Sequence, residues 1–192
     1  MISALTEDAL TQAAEILNVG GVVIIPTDTV YGIAAHPRHP GAVQRIYAVK
    51  GRPTGKPIAL LAATVAAVER FGAFFPEAAK RLAETYWPGA LTLVLPCEGG
   101  GYEGFRVPAH EAIRRLITLC GGVLRVTSAN LSGAIPALDA AHALKDVGLE
   151  ADMVLDGGVS PGGIASTVVK VDPEGVVTVL REGGVAIEER KT

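Results

Sequence analysis

Lys50, Arg52 and Lys56 place three cations within seven residues, in a loop whose backbone is stiffened by Pro53 and Pro57. A guanidinium can grip phosphate or carboxylate through two parallel hydrogen bonds, and an ammonium acts as a compact point charge, so this loop suits an anionic ligand. The same residues would also make an ordinary solvated surface loop, and the segment alone does not decide between the two. A second candidate lies downstream, where Thr127, Ser128, Asn130 and Ser132 follow a short apolar run. Their hydroxyl and amide groups could bind phosphate oxygens or a ribose, or could cap the turn that follows. Asp28, in the stretch Pro26 to Gly32, is the carboxylate best placed for general-base duty or for magnesium, unless it merely closes an Asx-turn after Pro26.

Some chemistries are excluded by pattern. Gly51-Arg52-Pro53-Thr54-Gly55-Lys56 has three residues between its glycines where a P-loop has four. Pro57 also stands where the magnesium-binding Ser or Thr would be. Ser128 lacks the glycine elbow of a nucleophilic serine, and no histidine has an evident claim to be its base. Cys97 and Cys120 read as two buried free thiols, and the four histidines form no ligand pair with a carboxylate, so no metal site is expected. The late run from Asp156-Gly157-Gly158 through Pro161-Gly162-Gly163 to Ser166 is open enough to approach a ligand closely.

Five loop segments, 26–32, 50–53 with 56–57, 88–92, 127–133, and Ser166-Thr167 with Arg181, therefore carry the polar chemistry, and each adjoins a run that reads as a buried strand, where clefts form in α/β proteins. Apolar residues at 9, 10, 13, 14 and 17 mark one face of a helix over Thr6 to Asn18, with Thr6 as N-cap. Val22 to Ile25 is β-branched and too short for a helix, so it reads as a strand ending at Pro26. Further helices are expected at 40–49, 64–71, 76–86, 110–119 and 137–146. Further strands are expected at 58–61, 91–95, 123–126, 153–155, 167–171 and 176–180. The pattern predicts an α+β single domain over 1–192: a twisted mixed β-sheet flanked by helices, with one open concave cleft.

The formal net charge of −3 argues against a protein that coats nucleic acid nonspecifically. Apolar runs fall short of the roughly 18 residues of a membrane span, and the N-terminus lacks a basic region followed by an apolar stretch. A soluble, cytoplasmic protein without membrane contact is the expectation.

Taken in order, these segments resemble the YrdC-like threonylcarbamoyl-AMP synthase family, in its short single-domain form, from about Leu10 to Arg181. The resemblance is carried by PTDTVYG at 26–32, KGRP at 50–53 with Lys56-Pro57, and Pro88-Gly89 with Thr92. Arg106-Val107-Pro108, TSANLSG at 127–133, STVV at 166–169 and Leu180-Arg181-Glu182-Gly183 complete it. The resemblance implies ATP-dependent synthesis of L-threonylcarbamoyladenylate from L-threonine, bicarbonate and ATP, with release of pyrophosphate, for N6-threonylcarbamoyladenosine modification of tRNA.

By the same carry-over, Lys50 and Arg52 would be catalytic, holding phosphates and the carbamate or threonine carboxylate. Lys56, Ser128, Asn130, Ser166 and Arg181 would bind nucleotide, while Thr29, Tyr31 and Thr92 would shape the threonine pocket. Magnesium would come with ATP and have no dedicated protein ligand, and a downstream threonylcarbamoyl transferase complex would take the product. Arg52→Ala and Lys50→Ala would abolish turnover with little loss of fold. Ala90 stands where the family commonly has a second proline, and no extra C-terminal domain of longer members is in view. The family resemblance also covers modules that bind double-stranded RNA or tRNA without turnover, and a carbamoyl-phosphate-using maturation domain.

Overall fold

The computed structural model describes residues 2–187. Thr6 caps α1 (Glu7–Asn18), its hydroxyl accepting from the Ala9 amide at 3.2 Å, and the buried residues of α1 are the five of the predicted face. After β1 (Ile2–Ala4) and α1, the chain forms β2 (Val22–Ile25), β3 (Gly32–Ala35), α2 (Pro40–Lys50), β4 (Leu60–Ala62), α3 (Val65–Arg70) and α4 (Glu77–Tyr86). It continues through β5 (Leu91–Pro96), β6 (Tyr102–Arg106), α5 (Glu111–Leu119), β7 (Val123–Ser128), α6 (Ala140–Val147), β8 (Met153–Asp156), β9 (Thr167–Val171) and β10 (Val177–Arg181).

All ten strands join one open mixed sheet in the order β1-β8-β2-β3-β7-β4-β6-β5-β9-β10. Sequence patterning misses β1, β3 and β6. In β3, Gly32, Ala34 and Ala35 have low strand propensity, and the strand exists because β2 and β7 pair with it on both sides. In β6, Glu103, Gly104 and Arg106 break the apolar run, yet period two still sends Phe105 into the core and Arg106 to the other face. Thr127 and Ser128, expected in a loop, close β7, where they pair with Ile33 and Gly32. The last helix starts at Ala140 instead of 137, because the Asp139 side chain caps it by accepting from the His142 amide at 2.7 Å.

Two layers of helices are packed unequally. On one face, α1 and α5 bury Leu10, Leu17, Ile113 and Leu116 against Val23, Ile25, Leu124 and Val126. On the other face, α2 and α6 cover β2 and β3, while α3 and α4 cover Leu91, Leu93, Leu95, Phe105 and Val169. The alternate residues of β5, β6 and β9 (Thr92, Val94, Gly104, Arg106 and Val168) line a cavity that no helix among the described residues covers. Burying one face of a strand leaves its other face free to form a site. Cys97 and Cys120 are both free, but only Cys120 is buried; Cys97 is half-buried. No helix among the described residues is long and apolar enough to cross a membrane.

Candidate functional site

The cleft encloses about 410 Å³ over a floor of small side chains, including Ala59, Val94, Gly104 and Val168. Its walls come from the five polar segments, which adjoin one another only because the sheet order brings β2, β7, β6, β5 and β9 into the middle and one side of the molecule. The stretch 26–32 enters as the turn between β2 and β3, and Gly162 packs against it. A Cβ at Gly162 would stand 2.5 Å from the Asp28 carbonyl oxygen, so only glycine allows the approach that lets the Gly163 amide reach the Thr29 carbonyl at 2.9 Å.

Three arginines line the cleft and, among the described residues, no carboxylate does. Arg106 is neutralised from behind by Asp28, Nη2 to Oδ1 at 2.5 Å. Arg52 and Arg181 have no such partner among the described ion pairs. Arg52 donates through Nε to the Lys56 carbonyl at 3.0 Å and through Nη2 to the Pro57 carbonyl at 2.9 Å, which orients its fork with Nη1 left over. Arg181 donates through Nη2 to the Ser166 carbonyl at 2.6 Å. Burial and then repulsion from Arg52 lower the Arg181 pKa, so two cations are held close enough to feel each other in a cleft that no carboxylate among the described residues lines. Hydroxyls complete the wall: Thr92 Oγ1 and Ser166 Oγ lie 2.7 Å apart, and Ser128 lines the opposite side.

Lys50 differs from the expectation of an exposed loop charge. It ends α2 just before Gly51, whose φ of 58° supplies the left-handed cap that turns the chain back, and it is only 3 % exposed. Its ammonium donates to the carbonyls of Ser128, at 2.5 Å, and Asn130, and its own carbonyl accepts from the Ser132 amide at 2.8 Å. Lys50 therefore ties the 127–133 segment to α2 from behind the cleft, and does not line it. Burial first, and Arg52 second, push its pKa down from the usual 10.5 to about 8. Below pH 8 the lysine is charged in both folded and unfolded chains, and folding bears the full cost of burying an ammonium. Between about 8 and 10.5 the unfolded chain holds more protons than the folded one, so this group's contribution to stability rises with pH across that window. Urea midpoints measured from about pH 7 to about pH 10 are expected to climb more steeply in the protein than in a Lys50→Met variant.

The other expected positions divide in the same way. Thr29, Thr92, Ser128, Ser166, Arg52 and Arg181 line the cleft together. Lys56 is exposed and contributes its carbonyl to Arg52 and to the Tyr47 hydroxyl. Asn130 is buried, with Nδ2 donating to the carbonyls of Leu131 and Ala134, both at 2.8 Å; its Oδ1 is buried with no partner. Tyr31 forms part of the wall, but its hydroxyl turns away, donating to the Gly158 carbonyl at 2.7 Å and accepting from the Gly157 amide at 3.1 Å. It shapes the site by anchoring the glycine-rich loop. Arg106 is the residue to which sequence reasoning assigns no role; the signal available for it was its place in the Arg106-Val107-Pro108 run that the resemblance quotes.

Comparison with known proteins places this geometry in a family. The Sua5/YciO/YrdC family model, described as "Telomere recombination", matches residues 15–183. The threonylcarbamoyl-AMP synthase of Bacillus subtilis is 36% identical over 190 residues, covering 94% of this chain and 55% of that protein. The threonylcarbamoyl-AMP synthase of Pyrococcus abyssi is 37% identical over 186 residues, covering 92% and 54%. This chain thus spans about half the length of these two relatives. A crystal structure of P. abyssi Sua5 complexed with L-threonine superimposes with a TM-score of 0.88 at 34% identity, over 95% of this chain and 57% of that one. Escherichia coli YciO, at 23% identity and a TM-score of 0.85 over 95% of both chains, shares the fold.

Proposed function

This chain belongs to the Sua5/YciO/YrdC family, and on that premise we propose that it makes L-threonylcarbamoyladenylate from L-threonine, bicarbonate and ATP. The observation that carries the reading is a cleft that, among the described residues, has two arginines without an ion-pair partner, a set of hydroxyls and no carboxylate. Such a site favours a bound polyanion and a carboxylate together.

The chemistry follows from charge. Threonine's amine and bicarbonate combine with loss of water to give a carbamate, and a carbamate oxygen attacks the α-phosphorus of ATP. The bond to the bridging oxygen breaks, and pyrophosphate departs with its electron pair. Anion attacks polyanion here, so the barrier is set by repulsion and positioning, and preorganised cations and donors lower it without any covalent enzyme intermediate. In this proposal Arg52 and Arg181 meet the phosphates, and Ser128, Ser166 and Thr92 offer hydroxyls to the nucleotide or the amino acid. Thr29 faces the threonine, Lys50, Lys56, Asn130 and Tyr31 position those groups, and the apolar floor excludes water. Magnesium would travel on the β and γ oxygens of ATP as part of that substrate; the Asp28 carboxylate, in the 26–32 turn, is held by Arg106.

The product is an acyl–phosphate anhydride, which a transferase acting on tRNA adenosine would consume, in the cytoplasm. The whole 1–192 chain is proposed to act as one domain.

Pyrophosphate release by the purified protein, with magnesium, ATP and bicarbonate, is expected to require L-threonine and to fall at least about tenfold with L-serine, one methyl poorer. Release indifferent to threonine would overturn the proposal. RNA affinity without any turnover would put double-stranded RNA or tRNA binding in its place.

A further inference from the structure

We infer that Arg106 is a positioning residue: clamped by Asp28, it fixes the Thr29 hydroxyl as a hydrogen-bond donor into the cleft, so the ligand group read there must be an acceptor such as a carboxylate oxygen. The inference rests on the proposed use of threonine.

The argument is a count of protons and lone pairs. Arg106 is 6 % exposed, and all three of its nitrogens are engaged: Nε donates to the Gly89 carbonyl at 2.9 Å, Nη2 to Asp28 Oδ1 at 2.5 Å, and Nη1 to Thr29 Oγ1 at 2.8 Å. The guanidinium has no acceptor, so Thr29 Oγ1 must accept from it, and one of that oxygen's two lone pairs is taken. Thr27 Oγ1 lies 3.0 Å from Thr29 Oγ1 and could in principle receive the Thr29 proton. Its own proton, however, goes to the Val30 carbonyl at 2.7 Å, and its lone pairs already face the amides of Thr29 at 3.1 Å and Val30 at 3.3 Å. A third donor onto Thr27 Oγ1 would exceed its two lone pairs. The Thr29 proton is therefore the surplus one, on a side chain that lines the cleft. An acceptor on the ligand satisfies it; a second donor would leave two protons facing one another.

The clamp is rigid because Arg106 and Thr29 are buried and the Asp28 side chain that holds them is only 12% exposed. Asp28 neutralises the guanidinium, so Arg106 adds little net positive charge to the cleft, and its effect is directional. This distinguishes it from Arg52 and Arg181, which act by charge.

The test is a double-mutant cycle read as KM for L-threonine, kcat and KM for ATP in the pyrophosphate assay. Arg106→Lys keeps the charge but loses the fork that reaches Asp28 and Thr29 together. It is expected to raise KM for threonine about tenfold while KM for ATP stays within about twofold. Thr29→Val is expected to do the same, with Thr29→Ser recovering most of the loss. In the Thr29→Val background, Arg106→Lys is expected to add less than about twofold, because the hydroxyl it orients is gone. If Arg106→Lys does not fold, Arg106→Met combined with Asp28→Asn removes the pair without leaving a buried charge and takes its place in the cycle. Effects that multiply independently, or that raise both KM values alike, overturn the clamp. A wild-type protein whose turnover ignores threonine overturns the functional reading and this inference with it.

Discussion

Arg52→Ala is expected to lower kcat/KM for pyrophosphate release by about 10²–10³-fold, the scale on which a preorganised group facing developing charge acts in a cleft. Arg52 is held by the carbonyls of Lys56 and Pro57, so its orientation is set before substrate arrives. It shares the cleft with Arg181, whose lowered pKa registers the closeness of the two cations. Both contacts are to backbone of its own loop, so the fold loses little, and the unfolding free energy is expected to change by no more than the roughly 0.5 kcal/mol usual for surface substitutions. Arg52→Lys is expected to recover only part of the rate, because one ammonium cannot hold two carbonyls and grip an anion bidentately. Turnover of Arg52→Ala within threefold of the parent protein would remove Arg52 from the proposed phosphate site.

Lys50→Ala should behave differently, although it lies two residues away. Here the expectation is a loss of stability of about 2–4 kcal/mol as well as a loss of turnover. The carbonyls of Ser128 and Asn130 would be left buried without their donor, at about 1–3 kcal/mol each, and the lysine's methylenes would leave a cavity. Relief from burying an ammonium offsets part of this. Lys50→Met, which refills the volume without the charge, is expected to regain some stability but not the geometry of the 127–133 segment. Urea unfolding monitored alongside the pyrophosphate assay separates the cases. Loss of turnover with an unchanged midpoint would mean that Lys50 meets substrate directly and would remove its role as a tie.

These two residues show where sequence reading stops. Lys50-Gly51-Arg52 looks like a single basic loop, and nothing in its composition separates a cation that faces the ligand from one that supports the wall. The division comes from α2, which runs one residue further than its pattern indicates. That last turn buries Lys50 while Gly51, in its left-handed conformation, swings Arg52 into the cleft. Tyr31 makes the same point: its type and place in PTDTVYG suit a substrate contact, and only the arrival of Gly157 and Gly158, more than a hundred residues later, turns its hydroxyl to the loop.

What the sequence determined by itself is considerable and local. Apolar spacing, capping residues and β-branched runs were enough for the helices and most strands, because these depend on neighbours within one turn or one pleat. The polar segments stood out because each adjoins such a run. What only the tertiary structure decided is non-local. The strands β3 and β6 exist through pairing on both sides, the sheet order gathers five distant loops into one cleft, and the Asp28–Arg106–Thr29 clamp joins residues 78 and 77 positions apart. Pairing and hydrogen bonding between distant segments carry no periodic signature along the chain, so they become legible only once the core has brought those segments together.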